Sequence, residues 1–188
     1  MHIWATGTGF LCPPGLSNSG ENITFNQGEI GNSTTAIDNS GGCEINANQA
    51  SFDGLSGSTF ISQGGFGQLR CVNCHIEYFN SISLPIFDIA GCNAWTSIDF
   101  EGGMITGRVT SGQPNMLALV RNNPQTTCGG SGSWAYFSRV LLSGLVPSAQ
   151  CAAGTGQYCV VGSNSSQVRM DLSTRGDGGG TFGDAHIP

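Results

Sequence analysis

The residues whose types most clearly suggest chemistry are grouped in the five-residue motif Cys71-Val-Asn-Cys74-His75. A Cys-x-x-Cys-His sequence is the attachment pattern of c-type haem, in which two thioethers hold the porphyrin and the histidine is an axial ligand. One Cys-x-x-Cys pair could also contribute to a zinc site, but no second pair follows at metal-ligand spacing. The directions of these side chains decide between the possibilities, and the strand that carries them sets those directions.

An eight-residue repeat contains this motif. Positions 1, 3 and 8 of each copy are apolar, and position 6 is mostly a small residue. The six copies begin at Ile23, Ile45, Leu69, Ile98, Ala135 and Val168. In the last copy Arg175 occupies position 8 and breaks the pattern. Alternation at positions 1 and 3, and again at 6 and 8, predicts two short strands that meet at a corner, with the apolar side chains pointing inward.

The corner itself falls at position 5 of the repeat. Asn73 and Gly102 occur there, and both residue types suit a bend that needs a left-handed backbone. In this frame Cys71 and Cys74 point inward, whereas His75 at position 7 points outward. Because one haem cannot bond two inward thiols and an outward histidine of the same strand, we expect no cofactor and no metal. The pattern favours either a disulfide around the corner or two buried thiols that pack as small apolar groups.

Two carboxylates, Asp99 and Glu101, occupy outward positions 2 and 4 of one copy. A carboxylate pair can hydrolyse a glycosidic bond when its separation is suitable, so these are the candidate catalytic residues of a polysaccharide-active enzyme. Arg70 occupies position 2 of the preceding copy. The favoured interpretation is a solvated ion pair between Arg70 and Asp99, which has little energetic value. We therefore expect a protein that is not an enzyme.

The composition indicates an oxidising, extracellular environment. The 188 residues include eight cysteines and no lysine, and only 10% are charged. The net charge of −6 argues against a nucleic-acid partner, which usually needs a basic surface. Three Asn-x-Ser/Thr sequons, at Asn22, Asn32 and Asn164, are candidate glycosylation sites. No signal peptide and no apolar run long enough to span a membrane are recognisable, so a leader is missing or the chain is a fragment of a longer precursor.

The cysteines are all disulfide candidates, and eight of them permit 105 pairings, so the connectivity stays open. They are Cys12, Cys43, Cys71, Cys74, Cys92, Cys128, Cys151 and Cys159. Each repeat also has a second strand-like half followed by a Gly or Asn turn. The five candidates cover residues 35–38, 59–62, 85–89, 115–120 and 157–161. The predicted organisation is an irregular segment over 1–20, a repeat domain over 21–175 and a Gly-rich tail over 176–188.

The pattern of apolar and small residues in the repeat, including Gly41-Gly42-Cys43-Glu44-Ile45, resembles the coil repeats of right-handed parallel β-helix proteins of the pectate-lyase-like folds. Within that group it is similar to the surface repeats of polymorphic outer-membrane and adhesin-type proteins. The resemblance covers about residues 21–175 and implies an all-β, disulfide-stapled solenoid of about six short coils. An antiparallel β-sandwich is the alternative fold.

No amphipathic capping helix is visible in the sequence, so the open ends of such a solenoid would present unpaired strand edges. End-to-end contact of such ends makes a filament. The sequence thus favours an extracellular structural protein that self-assembles into a surface filament or appendage, or serves as an adhesive module. The alternatives are a polysaccharide-binding or polysaccharide-cleaving protein, with glycans as partners, and an extracellular c-type cytochrome that uses the Cys71–His75 motif.

Overall fold

The chain is all-β throughout its described part. The computed structural model describes residues 1–4, 7–14, 22–62, 67–78, 84–89, 96–107, 119–122, 134–143, 160–162, 167–170 and 175–176. These residues form seventeen strands and no helix. It follows that the described residues contain no helix with the length and apolar character that a membrane span requires.

Eleven of the strands belong to one open sheet. They are β1 (His2–Trp4), β3 (Asn22–Asn26), β4 (Glu29–Gly31), β6 (Glu44–Asn48), β7 (Ser51–Leu55), β9 (Gln68–Tyr78), β11 (Ser97–Gly107), β13 (Trp134–Ser138), β14 (Leu141–Ser143), β16 (Gln167–Met170) and β17 (Arg175–Gly176). The other six form a second open sheet. They are β2 (Thr8–Leu11), β5 (Thr35–Asp38), β8 (Phe60–Ser62), β10 (Phe87–Ile89), β12 (Val120–Asn122) and β15 (Val160–Gly162).

Every pairing between described strands is parallel, so the antiparallel alternative is wrong. The parallel pairs join copies of the repeat that lie 22 to 37 residues apart, with connecting chain between them rather than a two-residue hairpin. The register places each repeat position on the same position of the next copy. Ile23 pairs with Ile45, Ile45 with Leu69, and Leu69 with Ile98.

The first sheet bends at the corner that the repeat predicts. Both β9 and β11 run through the corner, whereas the other copies divide there into two strands. Left-handed φ angles occur at position 5 in five copies, at Gln27, Gln49, Asn73, Gly102 and Arg139. The left-handed bend turns the chain while the apolar side chains on both sides continue to point inward.

Five strands of the second sheet overlap the predicted second strand-like halves of the repeats, β2 precedes the first repeat, and the core lies between the two sheets. Phe87 of β10 contacts Phe100 of β11 and Phe137 of β13, with ring centroids 6.2 and 5.6 Å apart. Tyr78 of the first sheet is fully buried and hydrogen-bonds Thr59, which precedes β8. Burial raises the pKa of the Tyr78 phenol well above its usual value, so this hydroxyl stays protonated and neutral.

The N-terminal segment differs from its prediction. Residues 1–20 are predicted to be irregular, but β1 pairs in parallel with β4, and β2 pairs in parallel with β5. The irregular interpretation is wrong for these two stretches, because backbone pairing with the next repeat orders a sequence that has no apolar period of its own. A disulfide joins Cys12 to Cys43 and fixes this segment to the start of the second repeat.

The last repeat also differs from its prediction. Leu142 of β14 pairs with Gly176, and Leu141 pairs with Arg175. Gly176 therefore occupies position 8, and Arg175 occupies position 7 instead of breaking the apolar position. The domain boundaries at residues 20 and 175 stay predictions, and the tail after Gly176 lies outside the described residues.

Candidate functional site

Cys71 and Cys74 both lie inside the core, as the repeat predicts. Each side chain is fully buried, and both thiols are free. The Cys74 thiol donates to the Ala47 carbonyl at 3.3 Å. Burial, together with the neighbouring Cys74 thiol, raises the pKa of Cys71 well above its ordinary value. Of the two interpretations offered by the sequence, the structure therefore has two packed thiols and no disulfide around the corner.

His75 lies on the opposite, outward side of β9. Its Nδ1 atom is 3.4 Å from Asp53 Oδ1 and 3.4 Å from Ser51 Oγ. A c-type haem would have to bond thiols in the closed interior and reach a histidine on the other face of the same strand. These residues do not fit a haem, because the porphyrin would have to replace the packed core around Cys71.

The two candidate carboxylates lie on one outward face between two arginines. Asp99 Oδ2 is 4.0 Å from Arg70 Nε, and Glu101 Oε2 is 4.0 Å from Arg70 Nη2. Arg139, on the other side, donates to Glu101 Oε1. Partial burial raises the pKa of Asp99, Arg70 lowers it and Glu101 raises it further. Both carboxylates thus take part in a chain of ion pairs that crosses three repeats.

A shallow groove of about 310 Å³ runs beside Arg70 on this face. Its lining combines carboxylates, amides, a hydroxyl and a guanidinium over two apolar side chains. The lining residues are Glu44, Ile45, Asn46, Gln68, Leu69, Arg70, Ser97 and Asp99. Such a mixture can hydrogen-bond a polar ligand, although its only arginine, Arg70, already contacts Asp99 within the groove and Glu101 beside it.

Amide side chains replace charges on the same face in the first two repeats. Asn46 Nδ2 donates to Asn22 Oδ1 at 3.0 Å, and Asn48 Nδ2 donates to Asn26 Oδ1 at 2.9 Å. At the corner, Gln27 Nε2 donates to Gln49 Oε1 at 3.1 Å. Up to the corner, the outward face therefore changes along the stack from neutral amide pairs to ion pairs.

Three of the four large hydrophobic side chains that are exposed in the described part of the chain lie at the N-terminal edge, namely Met1, Trp4 and Leu11. Among the described strands, β1 pairs only with β4, β2 only with β5, and β3 only with β6, so each has a free edge. Trp4 at the end of β1 is 71% exposed, and Leu11 at the end of β2 is 54% exposed. Exposed apolar side chains on a free strand edge are typical of a surface that pairs with another chain.

The remaining candidate residues, for glycosylation and for disulfides, are considered by whether they lie in the described part of the chain. Asn22 and Asn32 are exposed, as an acceptor for glycosylation must be, whereas Asn164 lies outside the described residues. Cys92, Cys128, Cys151 and Cys159 also lie outside them, and only Cys12 and Cys43 of the eight are shown to be paired.

One group of residues was missed by the sequence analysis. Asp53, His75 and Glu77 bring a carboxylate, an imidazole and a second carboxylate together on the outward face of β7 and β9. Glu77 could have been found, because it lies two residues after His75 and so on the same face of a strand. Asp53 could have been found by counting, because it directly follows position 8 of its copy, as Glu77 does in the next copy, and Phe52 pairs with Ile76 at position 8.

No family model matches the chain, and no solved structure matches it. The functional proposals below therefore depend on the geometry of the chain itself.

Proposed function

We propose that this chain is an extracellular structural protein, built as a right-handed parallel β-helix of about six coils, whose copies assemble end to end into a filament or appendage. Three observations support the coil architecture. Equivalent repeat positions pair in register, the corners are left-handed, and a second parallel sheet faces the first. A surface module for adhesion or filament formation is the use that the resemblance to adhesin-type repeats implies.

The extracellular placement has its own support. Disulfides persist in oxidising compartments, and the Cys12–Cys43 bond fixes the N-terminal strands to the second repeat. Two sequons, at Asn22 and Asn32, are exposed and close to this end of the molecule. The proposal includes glycosylation at these positions when the protein is made in a cell that has the machinery.

The single observation that carries the assembly proposal is the free N-terminal edge with its exposed Trp4 and Leu11. Among the described strands, β15, β16 and β17 form the opposite edge of the two sheets. Because all pairings between the described strands are parallel, the N-terminal edge of one copy can continue the ladders from the far edge of another. Such a head-to-tail contact uses two different surfaces and does not close on itself, so it generates a filament.

Sedimentation velocity over a concentration series tests this proposal. We expect the wild-type chain to form a growing series of oligomers, and Leu11→Lys to weaken association about tenfold or more by placing a charge on the edge. Leu141→Lys is the matched control, because Leu141 is also exposed, at 43%, but lies on β14 between two partner strands. A wild-type chain that stays monomeric at high concentration, or equal loss in both variants, would contradict edge-to-edge assembly.

The groove beside Arg70 favours a second candidate function, the binding or cleavage of a polysaccharide. Amides, carboxylates and a guanidinium are suited to the hydroxyl and acidic groups of sugars. Asp99 lines the groove and Glu101 contacts the same arginine, so these two residues would supply the carboxylates that cleavage needs. Oligosaccharide binding should be lost in Arg70→Gln, and cleavage should be lost in Asp99→Ala and in Glu101→Ala. Full binding by Arg70→Gln would exclude this groove as the sugar site.

A further inference from the structure

The group formed by Asp53, His75 and Glu77 has the composition of a metal site. One ligand atom from each residue lies within 4.8 Å of the other two. Asp53 belongs to β7, and His75 and Glu77 belong to β9, so the group bridges two neighbouring repeats on their outward face. The His75 side chain is 36% exposed and the Asp53 side chain is 25% exposed, so the group lies near the surface although Asp53 Oδ1 itself is buried.

The contact between Asp53 and His75 is unusual for a hydrogen-bonded pair. Asp53 Oδ1 is 3.4 Å from His75 Nδ1, and this buried oxygen has no hydrogen-bond partner among the described residues. The exposed pair of His2 and Glu29, by comparison, has an ordinary hydrogen-bond distance of 2.7 Å. Two ligands that bind a tetrahedral Zn²⁺ at roughly 2.0–2.2 Å lie about 3.4 Å from one another. The Asp53–His75 separation therefore matches that of two ligands bound to one tetrahedral ion.

Neighbouring groups orient the aspartate for this role. Ser51 Oγ donates to Asp53 Oδ2 at 2.7 Å, which occupies one carboxylate oxygen and leaves Oδ1 directed towards the imidazole. Metal ligands in proteins commonly have such a supporting hydrogen bond, because it fixes the ligand orientation. An unpartnered buried carboxylate oxygen is otherwise costly, and a bound cation would remove that cost.

We propose that Asp53, His75 and Glu77 bind one divalent transition-metal ion of the Zn²⁺ class. One imidazole nitrogen with two carboxylates suits Zn²⁺ better than Ca²⁺, which takes six to eight oxygen ligands. Three protein ligands leave a coordination position for water. His75 binds as the neutral imidazole, so any proton on Nδ1 leaves to solvent when the ion enters. The ion joins β7 to β9 at the register shift after Phe52, where the backbone ladder is interrupted.

Calorimetric titration of the chelator-treated, full-length chain with Zn²⁺ tests the site. We expect one ion per chain and a rise in melting temperature of about 5–10 °C when free Zn²⁺ is about 100 times the dissociation constant. Ca²⁺ and Mg²⁺ at the same concentration should give little change. Co²⁺ should produce the visible absorption of a four- or five-coordinate site with nitrogen and oxygen ligands, a reading that needs no variant.

Three variants assign the ligands. His75→Gln, Asp53→Asn and Glu77→Gln should each weaken Zn²⁺ binding at least tenfold, with circular dichroism to confirm that each chain is folded. His2→Gln is the matched control, because it removes the other described histidine–carboxylate pair on this sheet and should leave binding unchanged. The proposal is wrong if wild type binds no Zn²⁺, if Co²⁺ stays octahedral as in water, or if His75→Gln binds as wild type does.

Discussion

Successive residues of strand β11 face alternately inward and outward, and the two faces differ in composition and in packing. Ile98, Phe100 and Ile105 face the core and are fully buried. Asp99 and Glu101 face outward and contact Arg70 of the adjacent strand β9. On the inward face apolar or small residues pair with one another in neighbouring repeats, as Phe100 does with Phe137 at a ring-centroid distance of 6.3 Å and with Cys71 on the other side. On the outward face the residue type changes from repeat to repeat.

This difference separates what stabilises the molecule from what distinguishes one repeat from another. Burial of apolar side chains provides most of the stabilisation, and the inward face is where that burial occurs. Exposed ion pairs contribute little to the free energy of unfolding, so the outward face is free to vary. We therefore expect the functional residues on the outward face and at the sheet edges. Four predictions test this division between a stabilising inward face and a variable outward face.

The largest effect is expected on the inward face. Phe100→Ala removes a fully buried ring that contacts both Phe87 and Phe137, and should reduce the free energy of unfolding by about 3–5 kcal/mol. Glu101→Gln, the next residue along the strand, should change it by less than about 1 kcal/mol. Urea denaturation measures both. Equal losses in the two variants would mean that the two faces do not differ as described.

The second prediction concerns the corner that separates the two halves of β11. A Cβ on Gly103 would lie 2.1 Å from the Cys74 carbonyl oxygen, whereas a Cβ on Gly102 would meet the movable Asn73 side chain. Both glycines have left-handed φ angles, of 85° and 68°. Gly103→Ala should thus destabilise by about 2–4 kcal/mol, and Gly102→Ala by about 1–2 kcal/mol. Thermal denaturation measures which of the two variants loses more stability. A larger loss for Gly102→Ala than for Gly103→Ala would place the tighter contact at Gly102.

The third prediction concerns the ion pairs of the outward face. Arg70→Gln removes the charge that contacts both Asp99 and Glu101 at 4.0 Å. Because these groups are partly exposed, we expect a loss of less than about 1 kcal/mol at low salt and a smaller loss at about 1 M salt. Chemical denaturation at two salt concentrations measures this difference. A loss that does not change with salt would indicate that the arginine acts through packing of its aliphatic stem instead.

The smallest effect is expected from the titration of Asp99. Partial burial raises its pKa in the folded chain above the usual 3.8, with Glu101 adding to the shift and Arg70 opposing it. Between these two pKa values the folded state binds more protons than the unfolded state, so this carboxyl makes the protein less stable as pH rises. Asp99→Asn should flatten the stability profile just above pH 3.8, as measured by urea midpoints. An unchanged profile would mean that Asp99 titrates alike in both states.

The inward face could be predicted from the sequence because apolar periodicity encodes it directly. The matched positions from Ile23 to Val168 and the left-handed corner at Asn73 both follow from counting residues within the eight-residue unit. Counting does not extend to the last repeat, where five residues separate Met170 from Gly176, whereas four separate the equivalent Phe137 and Leu142. Strand β1 was missed because its order comes from pairing with β4 rather than from its own pattern.

The outward face and the disulfide were less predictable. Pairing of Cys12 with Cys43 is one connection among many that eight cysteines permit, and it depends on strand β2 lying beside β5. The group formed by Asp53, His75 and Glu77 was missed because Asp53 and Glu77 lie just beyond position 8, where the counted unit ends. The ion pairs from Arg70 to Asp99 were predictable, because both residues occupy the same position in adjacent copies.

The register between neighbouring repeats stays the same although the segments that connect them differ in length, and this has a consequence for protein engineering. Ile23 and Ile45 are 22 residues apart, whereas Ile98 and Ala135 are 37 apart, yet both pairs occupy matching positions on neighbouring strands. The difference of 15 residues lies wholly in chain between the matched positions. A foreign peptide of similar length inserted after a repeat should therefore leave the ladders intact. The chain is consequently a suitable scaffold for displaying peptides at regular intervals along its length.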